Sequence, residues 1–206
     1  MIITDDSKLK IVCSPVDSLE EGEEISNKLI DELNKSKIPG IGLAANQIGI
    51  NKRVCIIKVM DEPLILINPK VIGLDEKTYM DEGCLSFPNR TVKTERYKYV
   101  TVECDNLGKV MFGPTGYDGD GYDEKQKLQL LESICVQHEI DHLDGITMFD
   151  RIYKLQPIIS NKKYGRNEKV EITNGSETKT IKWKKAEHLV GEENSEWSLV
   201  LDSNQF

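Results

Sequence analysis

The hydrophobic pattern of the first forty residues predicts one amphipathic helix. Its start is marked by Ser18 and Glu21, which have the spacing of a capping box, and its end by the dipeptide Pro39-Gly40. Between these signals, apolar residues recur at every fourth position, at Ile25, Leu29 and Leu33. This spacing puts them on one face, so the helix packs on a core through that face and turns its acidic residues to solvent.

The middle of the chain is rich in Val and Ile and alternates between apolar and polar residues, which is typical of β-strands. We predict strands at Arg53 to Val59, Leu64 to Ile72, Thr91 to Thr94, Tyr97 to Glu103 and Lys109 to Phe112. Turn residues separate several of them, as at Asp61-Glu62-Pro63 and Asn106-Leu107-Gly108. Because connections this short join antiparallel neighbours, we expect antiparallel or mixed sheets.

A second and longer helix is predicted to run to Leu143. Asp123 and Gln126 provide its capping signal, and Asp144-Gly145 provides its stop. A long helix that follows a series of antiparallel strands indicates an α+β fold, in which the sheets pack around that helix.

The chain becomes more polar after Arg151. Two short strand-like runs, Lys169 to Thr173 and Thr178 to Trp183, flank Asn174-Gly175, which is a strong hairpin signal. The remaining tail, which contains His188, shows no interpretable pattern, and we expect that histidine on the surface. We therefore predict a main domain over residues 1–160 and a C-terminal extension over residues 161–206, with a β-hairpin and a polar tail.

The chain has 206 residues and a formal net charge of -8. This excess of acid argues against a general affinity for nucleic acid or anionic membranes, although a local basic patch stays compatible with it. We find no basic segment followed by an apolar run at the start and no apolar stretch of about eighteen residues, so we expect a cytoplasmic protein without a membrane span or direct nucleic-acid contacts. Five cysteines at irregular spacings, with no Cys-x-x-Cys pair, argue against a disulfide framework.

The chemistry of the chain is expected at His138, Glu139 and His142. The two histidines are four residues apart on the second helix, which puts both imidazoles on one face. Two neutral imidazoles in this arrangement can share a divalent metal, and the glutamate between them can act as a general base toward water. Such pairs also occur on solvated helix faces, but here apolar residues extend the same face and indicate burial. Those residues are Leu131, Ile134 and Cys135.

A metal held by two histidines needs at least one more protein ligand. The candidates are an acidic residue downstream of the motif, as in common zinc proteases, or a cysteine from elsewhere in the chain. Cys84 follows Gly83, where the backbone can come close to a metal, but spacing alone does not separate Cys84 from Cys55.

Two glycine-rich stretches carry weaker signals. Gly40 to Gly49 surrounds one long amide side chain, Gln47, and is compatible with a tight loop or with close approach of the backbone to a ligand or strand. It lacks the spacing of a dinucleotide-binding motif. Gly113 to Asp123 lacks the glutamate-ended spacing of a calcium loop, and we assign no metal to it.

Three stretches together resemble the signature motifs of the peptide deformylase family. They are Gly40 to Gln47 (GIGLAANQ), Glu82 to Ser86 (EGCLS) and Gln137 to Gly145 (QHEIDHLDG), in the order that the family shows. The resemblance covers residues 7 to 155. It implies a metallohydrolase with the fold of that family, which removes the N-formyl group from formyl-methionyl nascent peptides and releases formate.

The resemblance also implies a role for each matching residue. It makes Cys84, His138 and His142 the metal ligands, Glu139 the acid and base, and Gln47 with the Leu85 amide the groups that stabilise the oxyanion. The matching substrate-binding positions are Ile41, Gly42, Leu131, Ile134 and Cys135. In the family the divalent metal is commonly Fe²⁺, with Ni²⁺ or Co²⁺ as substitutes, and the same donor types also suit Zn²⁺.

Some questions stay open at this stage. Asp141 could orient an imidazole or form an ion pair on the helix surface. The C-terminal region does not resemble the basic helix by which some family members dock on ribosomes, so ribosome association is uncertain, as is a bacterial, viral or organellar source. Two alternative functions stay open. The protein could be a metallopeptidase with the same histidine motif, or a non-enzymatic metal-binding protein descended from the enzyme. The first would normally take a downstream His or Glu as its third ligand.

Overall fold

The computed structural model describes residues 2–59, 62–116, 121–153, 164–174, 177–190 and 197–199. The chain divides into two compact units, Met1–Arg151 and Ile152–Phe206. The predicted boundary between residues 160 and 161 lies outside the described residues.

In its described residues, the first unit contains three α-helices and six strands. The helices are α1 (Asp6–Leu9), α2 (Leu19–Lys35) and α3 (Glu124–Leu143). The strands are β1 (Gly42–Ala44), β2 (Val54–Ile57), β3 (Leu64–Ile67), β4 (Lys70–Cys84), β5 (Phe87–Cys104) and β6 (Gly108–Phe112). Short 3₁₀ helices cover Ala45–Ile48 and Met148–Arg151.

The strands of the first unit form two antiparallel sheets, in the orders β1-β2-β3 and β4-β5-β6. The central strand β2 is buried on both faces. Ile56 packs in a cluster with residues of α2, whereas Cys55 and Ile57 pack in a cluster with residues of α3 and β5. Helix α3 therefore lies between the two sheets, which confirms the α+β fold.

The start signals of both predicted helices are confirmed, whereas α2 ends at Lys35, before the predicted stop at Pro39-Gly40. The Ser18 hydroxyl caps α2 by accepting a hydrogen bond from the Glu21 N–H (3.1 Å). Asp123 caps α3 by accepting from the Gln126 N–H (2.7 Å), and Gly145, after the helix end, has a φ of 70°. A side chain is strained at such a φ, which is why glycine suits this position.

Two strand predictions are corrected. The run Leu64 to Ile72 is not one strand, because Asn68 has a φ of 52° and Pro69 follows it, which separates β3 from β4. The predicted strands at Thr91 to Thr94 and Tyr97 to Glu103 belong to the single strand β5. Arg96 hides this continuity in the sequence because it is a charged residue that faces the interior, with 2% of its surface exposed.

The second unit contains strands β7 (Lys169–Thr173), β8 (Thr178–Lys182) and β9 (Ser198–Leu199) and helix α4 (Trp183–Val190). Its sheet has the order β8-β7-β9 and is antiparallel. The two strands of the predicted hairpin are confirmed, and they pair with each other. The second strand ends one residue earlier than predicted, because Trp183 begins α4. Gly175 of the predicted turn lies outside the described residues. The sequence pattern did not predict α1 or α4. His188 lies on α4 and is exposed, as expected.

No helix in the described ranges has both the length and the apolar character needed to cross a membrane.

Candidate metal centre

Helix α3 and the end of β4 bring three metal-binding side chains together. His138 and His142 lie one helical turn apart on α3, and Cys84 is the last residue of β4, before a tight turn formed by Leu85 and Ser86. The ligand atoms of the three residues all lie within 4.8 Å of one another. The Cys84 Sγ lies 3.2 Å from the His142 Nε2, although the two residues are 58 positions apart.

These donors fit a divalent metal ion. Metal bonds of roughly 2.0 to 2.3 Å in a tetrahedral arrangement put neighbouring ligand atoms on the order of 3.5 Å apart, close to the observed separation of Cys84 and His142. In the metal-free protein, burial and the charge of His138 lower the pKa of His142 well below its usual value. His142 is therefore neutral near pH 7, as a metal ligand must be. Burial would also lower the pKa of His138, but its hydrogen bonds with Cys84 and Glu82 raise it, so a metal that binds there must release a proton from His138. A thiolate with two imidazoles leaves a fourth position free.

Glu82 fixes the orientation of His138. Its Oε2 lies 2.7 Å from the His138 Nδ1, so the proton of the imidazole is held at Nδ1 and Nε2 is left for a metal. Burial alone would raise the pKa of Glu82, but hydrogen bonds from His138 and Arg96 lower it to about 2. Sequence reasoning placed Glu82 in a motif but gave it no role, because its partners come from distant elements.

Arg96 holds the Glu82 carboxylate from β5. Its Nε lies 2.6 Å from Oε1 and its Nη2 lies 2.9 Å from Oε2, and the Thr94 hydroxyl donates a further hydrogen bond to Oε1. All three side chains are buried. A carboxylate held by both oxygens cannot rotate, so His138 meets an acceptor in a fixed position.

Asp141 does not orient an imidazole. It is buried and accepts hydrogen bonds from two arginines, Arg96 through Nη1 and Arg151 through Nε (3.0 Å) and Nη2 (2.7 Å). Of the two alternatives for this residue, the ion pair is therefore the one that the structure shows, but Asp141 and one of its two partners, Arg96, are buried instead of lying on the helix surface. Asp141 thus links Arg151 to the buried Arg96 and so to Glu82.

The Gln47 side chain is fixed with its NH₂ group toward Cys84. Its Oε1 accepts from the Ala44 N–H (2.8 Å), and its Nε2 lies 3.1 Å from the Ser86 hydroxyl and 3.5 Å from the Cys84 Sγ. The oxygen is the atom bound to a backbone donor, so the nitrogen must be the one that faces the centre. Gln47 thus presents a hydrogen-bond donor beside Cys84, one of the candidate metal ligands.

Glu139 is buried at the same place. Among the residues that the structure describes, its Oε2 has no hydrogen-bond partner, and 4% of the residue surface is exposed. Burial raises the pKa of Glu139 to about 7. A carboxyl group with a pKa near the working pH can both accept and release a proton.

Gly42 makes room for this carboxylate. A Cβ at that position would lie 2.5 Å from the Glu139 Oε1 and 2.7 Å from the Cys135 Sγ. Any larger residue would have to displace one of these side chains, which belong to α3. Gly42 therefore lets β1 approach the helix that carries both histidines.

A cavity of about 440 Å³ opens onto the centre. Cys84, Leu85, Gln47, His138 and Glu139 line it. The five predicted substrate-binding residues line it as well, namely Ile41, Gly42, Leu131, Ile134 and Cys135. The lining also includes residues that sequence reasoning did not single out, among them Ile38, Pro39, Phe87, Pro88 and Arg90. Most of these residues follow the turn after Cys84 in the sequence. Their closeness in the sequence to a candidate ligand is the signal by which sequence reasoning could have identified them.

Comparisons with known proteins agree with this geometry. A family model for polypeptide deformylase matches residues 1–157. A peptide deformylase of Rhizobium meliloti is 34% identical over 163 residues, 76% of this chain and 86% of its own length. One of Acidobacterium capsulatum is 38% identical over 153 residues, 71% of this chain and 83% of its own.

Solved structures show the same fold. The crystal structure of the Thermotoga maritima peptide deformylase has 31% sequence identity and a TM-score of 0.59, and the match covers 75% of this chain and 97% of that one. A probable peptide deformylase from Synechococcus phage S-SSM7 has 30% identity and a TM-score of 0.61, over 74% of this chain and 99% of that one.

Proposed function

Because the chain belongs to the polypeptide deformylase family, we propose that its metal centre hydrolyses the amide bond of N-formylmethionyl peptides and releases formate. The observation that carries this proposal is that a proton acceptor, Glu139, and a hydrogen-bond donor, Gln47, line one cavity with Cys84 and His138. Hydrolysis of an amide needs both groups, one for the proton and one for the developing oxyanion. The ligand atoms of Cys84, His138 and His142 lie within 4.8 Å of one another.

The three ligands Cys84, His138 and His142 hold one divalent ion in this proposal. We propose Fe²⁺ as the working ion, and Ni²⁺, Co²⁺ or Zn²⁺ suits the same donors. When bound, the ion supplies a Lewis acid that polarises a carbonyl oxygen and makes water more acidic. Its affinity depends on the thiolate of Cys84 and on Glu82, which keeps Nε2 of His138 available.

The chain's own residues supply the remaining steps. Glu139 accepts a proton from the attacking water and later delivers it to the nitrogen of the departing amine. Gln47 Nε2 and the N–H of Leu85 donate hydrogen bonds to the formyl oxygen as it gains negative charge. Each such donor lowers the activation barrier by roughly 3 kcal/mol. The burial of Glu139 favours its protonated form between the two transfers.

The apolar part of the cavity receives the methionine side chain. Ile134 and Cys135 are buried, and Ile41 and Leu131 are more exposed at the cavity surface. An unbranched thioether side chain adapts well to such a lining. Because Gly42 has no side chain, the backbone of β1 can lie close beside a peptide bound in the cavity.

We also propose that the enzyme works in the cytoplasm on formylated nascent chains. All five cysteines are unpaired, and a ligand thiolate on Fe²⁺ is sensitive to oxidants. Both features suit a reducing compartment.

The test is formate release from formyl-Met-Ala-Ser by anaerobically purified, full-length protein loaded with Fe²⁺ or Ni²⁺. The same peptide carrying an acetyl group serves as the control for the formyl group, and mass spectrometry of the products detects any cut at an ordinary peptide bond. We expect formate from the first peptide alone. Absence of formate from protein with confirmed metal content, or internal cleavage of the peptide, would contradict the proposal.

A further inference from the structure

Arg90 is the only Lys or Arg among the described residues that line the cavity. It is exposed, whereas Ile134 and Cys135 are buried, so Arg90 lies at the mouth of the cavity and these two residues lie at its inner end. The proposed metal centre and methionine site use no permanent cation. Arg90, whose guanidinium stays charged at any working pH, is therefore placed to meet the part of a peptide that follows the methionine.

The Arg90 guanidinium is held against an aromatic pair. Its Cζ lies 4.0 Å from the centroid of the Phe149 ring, and this ring meets Phe87 edge-on, with 4.8 Å between the two centroids. Phe87 and Arg90 are three positions apart and would face opposite sides of a regular strand. Asn89 between them has a φ of 64°, which breaks the alternation and lets both side chains contact the same ring. The ring contact therefore restricts where the cation can lie.

Within the described ranges, no carboxylate lies at ion-pair distance from Arg90. The ion pairs at the metal centre involve Arg96 instead. The other exposed charge of the lining, Asp81, is the direct cross-strand neighbour of Lys93, so a cation already stands beside it. An aromatic ring provides no acceptor oxygen, so the N–H donors of Arg90 stay available. A carboxylate suits them best, because it can accept two parallel hydrogen bonds from one guanidinium.

A peptide in this cavity would lie beside β1. This strand is at the end of its sheet, and its residue Gly42 lines the cavity. A peptide that adds to such an edge is extended, and its successive side chains point to opposite sides. The third side chain therefore points to the same side as the methionine, roughly 7 Å further along the peptide. It is thus the third side chain, and not the second, that turns toward the cavity mouth.

We infer that Arg90 makes the enzyme prefer formylated peptides with an acidic side chain at the third residue. The inference rests on the proposed function, because the formyl group at the metal centre and the methionine in the apolar part of the cavity fix the position of the peptide. The guanidinium of Arg90 then pairs with the carboxylate of the third residue. This pair lies at an exposed mouth, so salt weakens it.

The test compares four peptides with amidated C-termini, so that no terminal carboxylate competes for Arg90. Two carry Glu or Gln at the third residue, formyl-Met-Ala-Glu-Ala and formyl-Met-Ala-Gln-Ala, and two carry them at the second, formyl-Met-Glu-Ala-Ala and formyl-Met-Gln-Ala-Ala. The full-length, metal-loaded parent is measured beside Arg90→Met, which keeps an unbranched apolar stem against Phe149 but has no charge. Lys28→Met is the matched control, because it removes an exposed cation of α2 that does not line the cavity.

We expect the parent to show a KM about threefold lower for Glu than for Gln at the third residue, at about 50 mM salt. The kcat should be equal for the two peptides, since the ion pair is the same in the bound substrate and in the transition state. At about 500 mM salt the two KM values should converge. Arg90→Met should lose the preference and Lys28→Met should keep it. Glu and Gln at the second residue should give equal KM values in each protein.

Equal KM values for Glu and Gln at the third residue in the parent, or the same ratio in Arg90→Met, would overturn the inference, as would a preference at the second residue. Binding of the deformylated peptides Met-Ala-Glu-Ala-amide and Met-Ala-Gln-Ala-amide, measured by isothermal titration calorimetry, needs no turnover. We expect the same Arg90-dependent ratio in their Kd values, and equal Kd values would also overturn the inference. A protein that binds with this ratio but releases no formate would contradict only the proposed function.

Discussion

Glu82 and His138 are joined by a contact of 2.7 Å between a carboxylate oxygen and Nδ1, although they lie on different elements and 56 positions apart. The acid contacts the imidazole nitrogen that is not the one left for a metal. It determines which nitrogen of His138 carries the proton and therefore which nitrogen can bind a metal.

Glu82→Gln is expected to weaken metal binding about 10- to 100-fold, because an uncharged amide holds the Nδ1 proton less firmly. The metal dissociation constant, measured by competition with a chelator, checks this. The control is Glu95→Gln, which removes an acid of β5 whose partner Lys77 lies away from the centre. Equal metal affinity in the two variants would show that Glu82 has no part in positioning His138.

Cys84→Ala is expected to abolish stoichiometric metal binding, because two imidazoles alone bind a divalent ion weakly. The matched variant is Cys55→Ala, which alters the other cysteine that spacing left as a candidate and which lies in the core of the first unit. Metal analysis of both purified proteins checks this prediction. Normal metal content in Cys84→Ala would mean that the third ligand is another residue.

Glu139→Gln is expected to keep the metal and lose activity by at least about 100-fold, since an amide cannot relay a proton. Metal content and formate release are measured on the same sample. Retained activity would exclude Glu139 as the proton acceptor.

The same substitution has an effect on stability that depends on pH. The pKa of Glu139 is raised to about 7 in the fold, from a usual value of 4.5, so the folded metal-free protein binds more protons than the unfolded chain between these two values. The free energy of unfolding therefore falls as pH rises from about 4.5 to about 7, on the order of 3 kcal/mol in all. Urea denaturation of metal-free protein should show Glu139→Gln gaining stability over the parent between pH 5 and pH 8. An identical pH dependence of the two proteins would contradict the assigned burial.

Gly42→Ala is expected to reduce kcat/KM by about 100-fold, because the new Cβ would push the Glu139 carboxylate from its position. Metal content should be unchanged, since the atoms nearest to the new Cβ belong to Glu139 and Cys135 and not to the three candidate ligands. Gly73→Ala is the control, because a Cβ there meets Thr101 at 3.4 Å, an ordinary contact. A Gly42→Ala enzyme as active as the control would show that Glu139 adapts to the loss of space.

Arg151→Ala is expected to weaken metal binding by about 0.5 to 2 kcal/mol, although Arg151 acts on the candidate ligands only through other residues. Arg151 holds Asp141 through two hydrogen bonds, Asp141 holds Arg96, and Arg96 holds Glu82 behind His138. Arg53→Ala is the control, because it breaks a comparable pair with Asp144 near the end of α3 that does not lead to the centre. The dissociation constant of the metal separates the two variants, since a loss of stability alone would lower the unfolding temperature of both.

The sequence by itself determined the parts of this protein that depend on neighbours along the chain. The capping residues Ser18 and Asp123 set the starts of α2 and α3, and the four-residue spacing of His138 and His142 put both imidazoles on one face. These signals are local because the geometry of a helix relates residues only a few positions apart. The resemblance of three motifs then supplied the family, which the comparisons confirm.

Only the tertiary structure decided which distant residues meet. Spacing could not choose between Cys84 and Cys55, whereas the fold puts Cys84 3.2 Å from His142 and buries Cys55 in the core. Glu82 and Asp141 lie in two of the motifs and Arg96 lies in none, but the sequence does not show that these three residues pair. A charged residue looks the same in a sequence whether it faces solvent or another buried charge. Their pairing arises when β4, β5 and α3 pack together, because burial makes each charge costly until the fold gives it a partner.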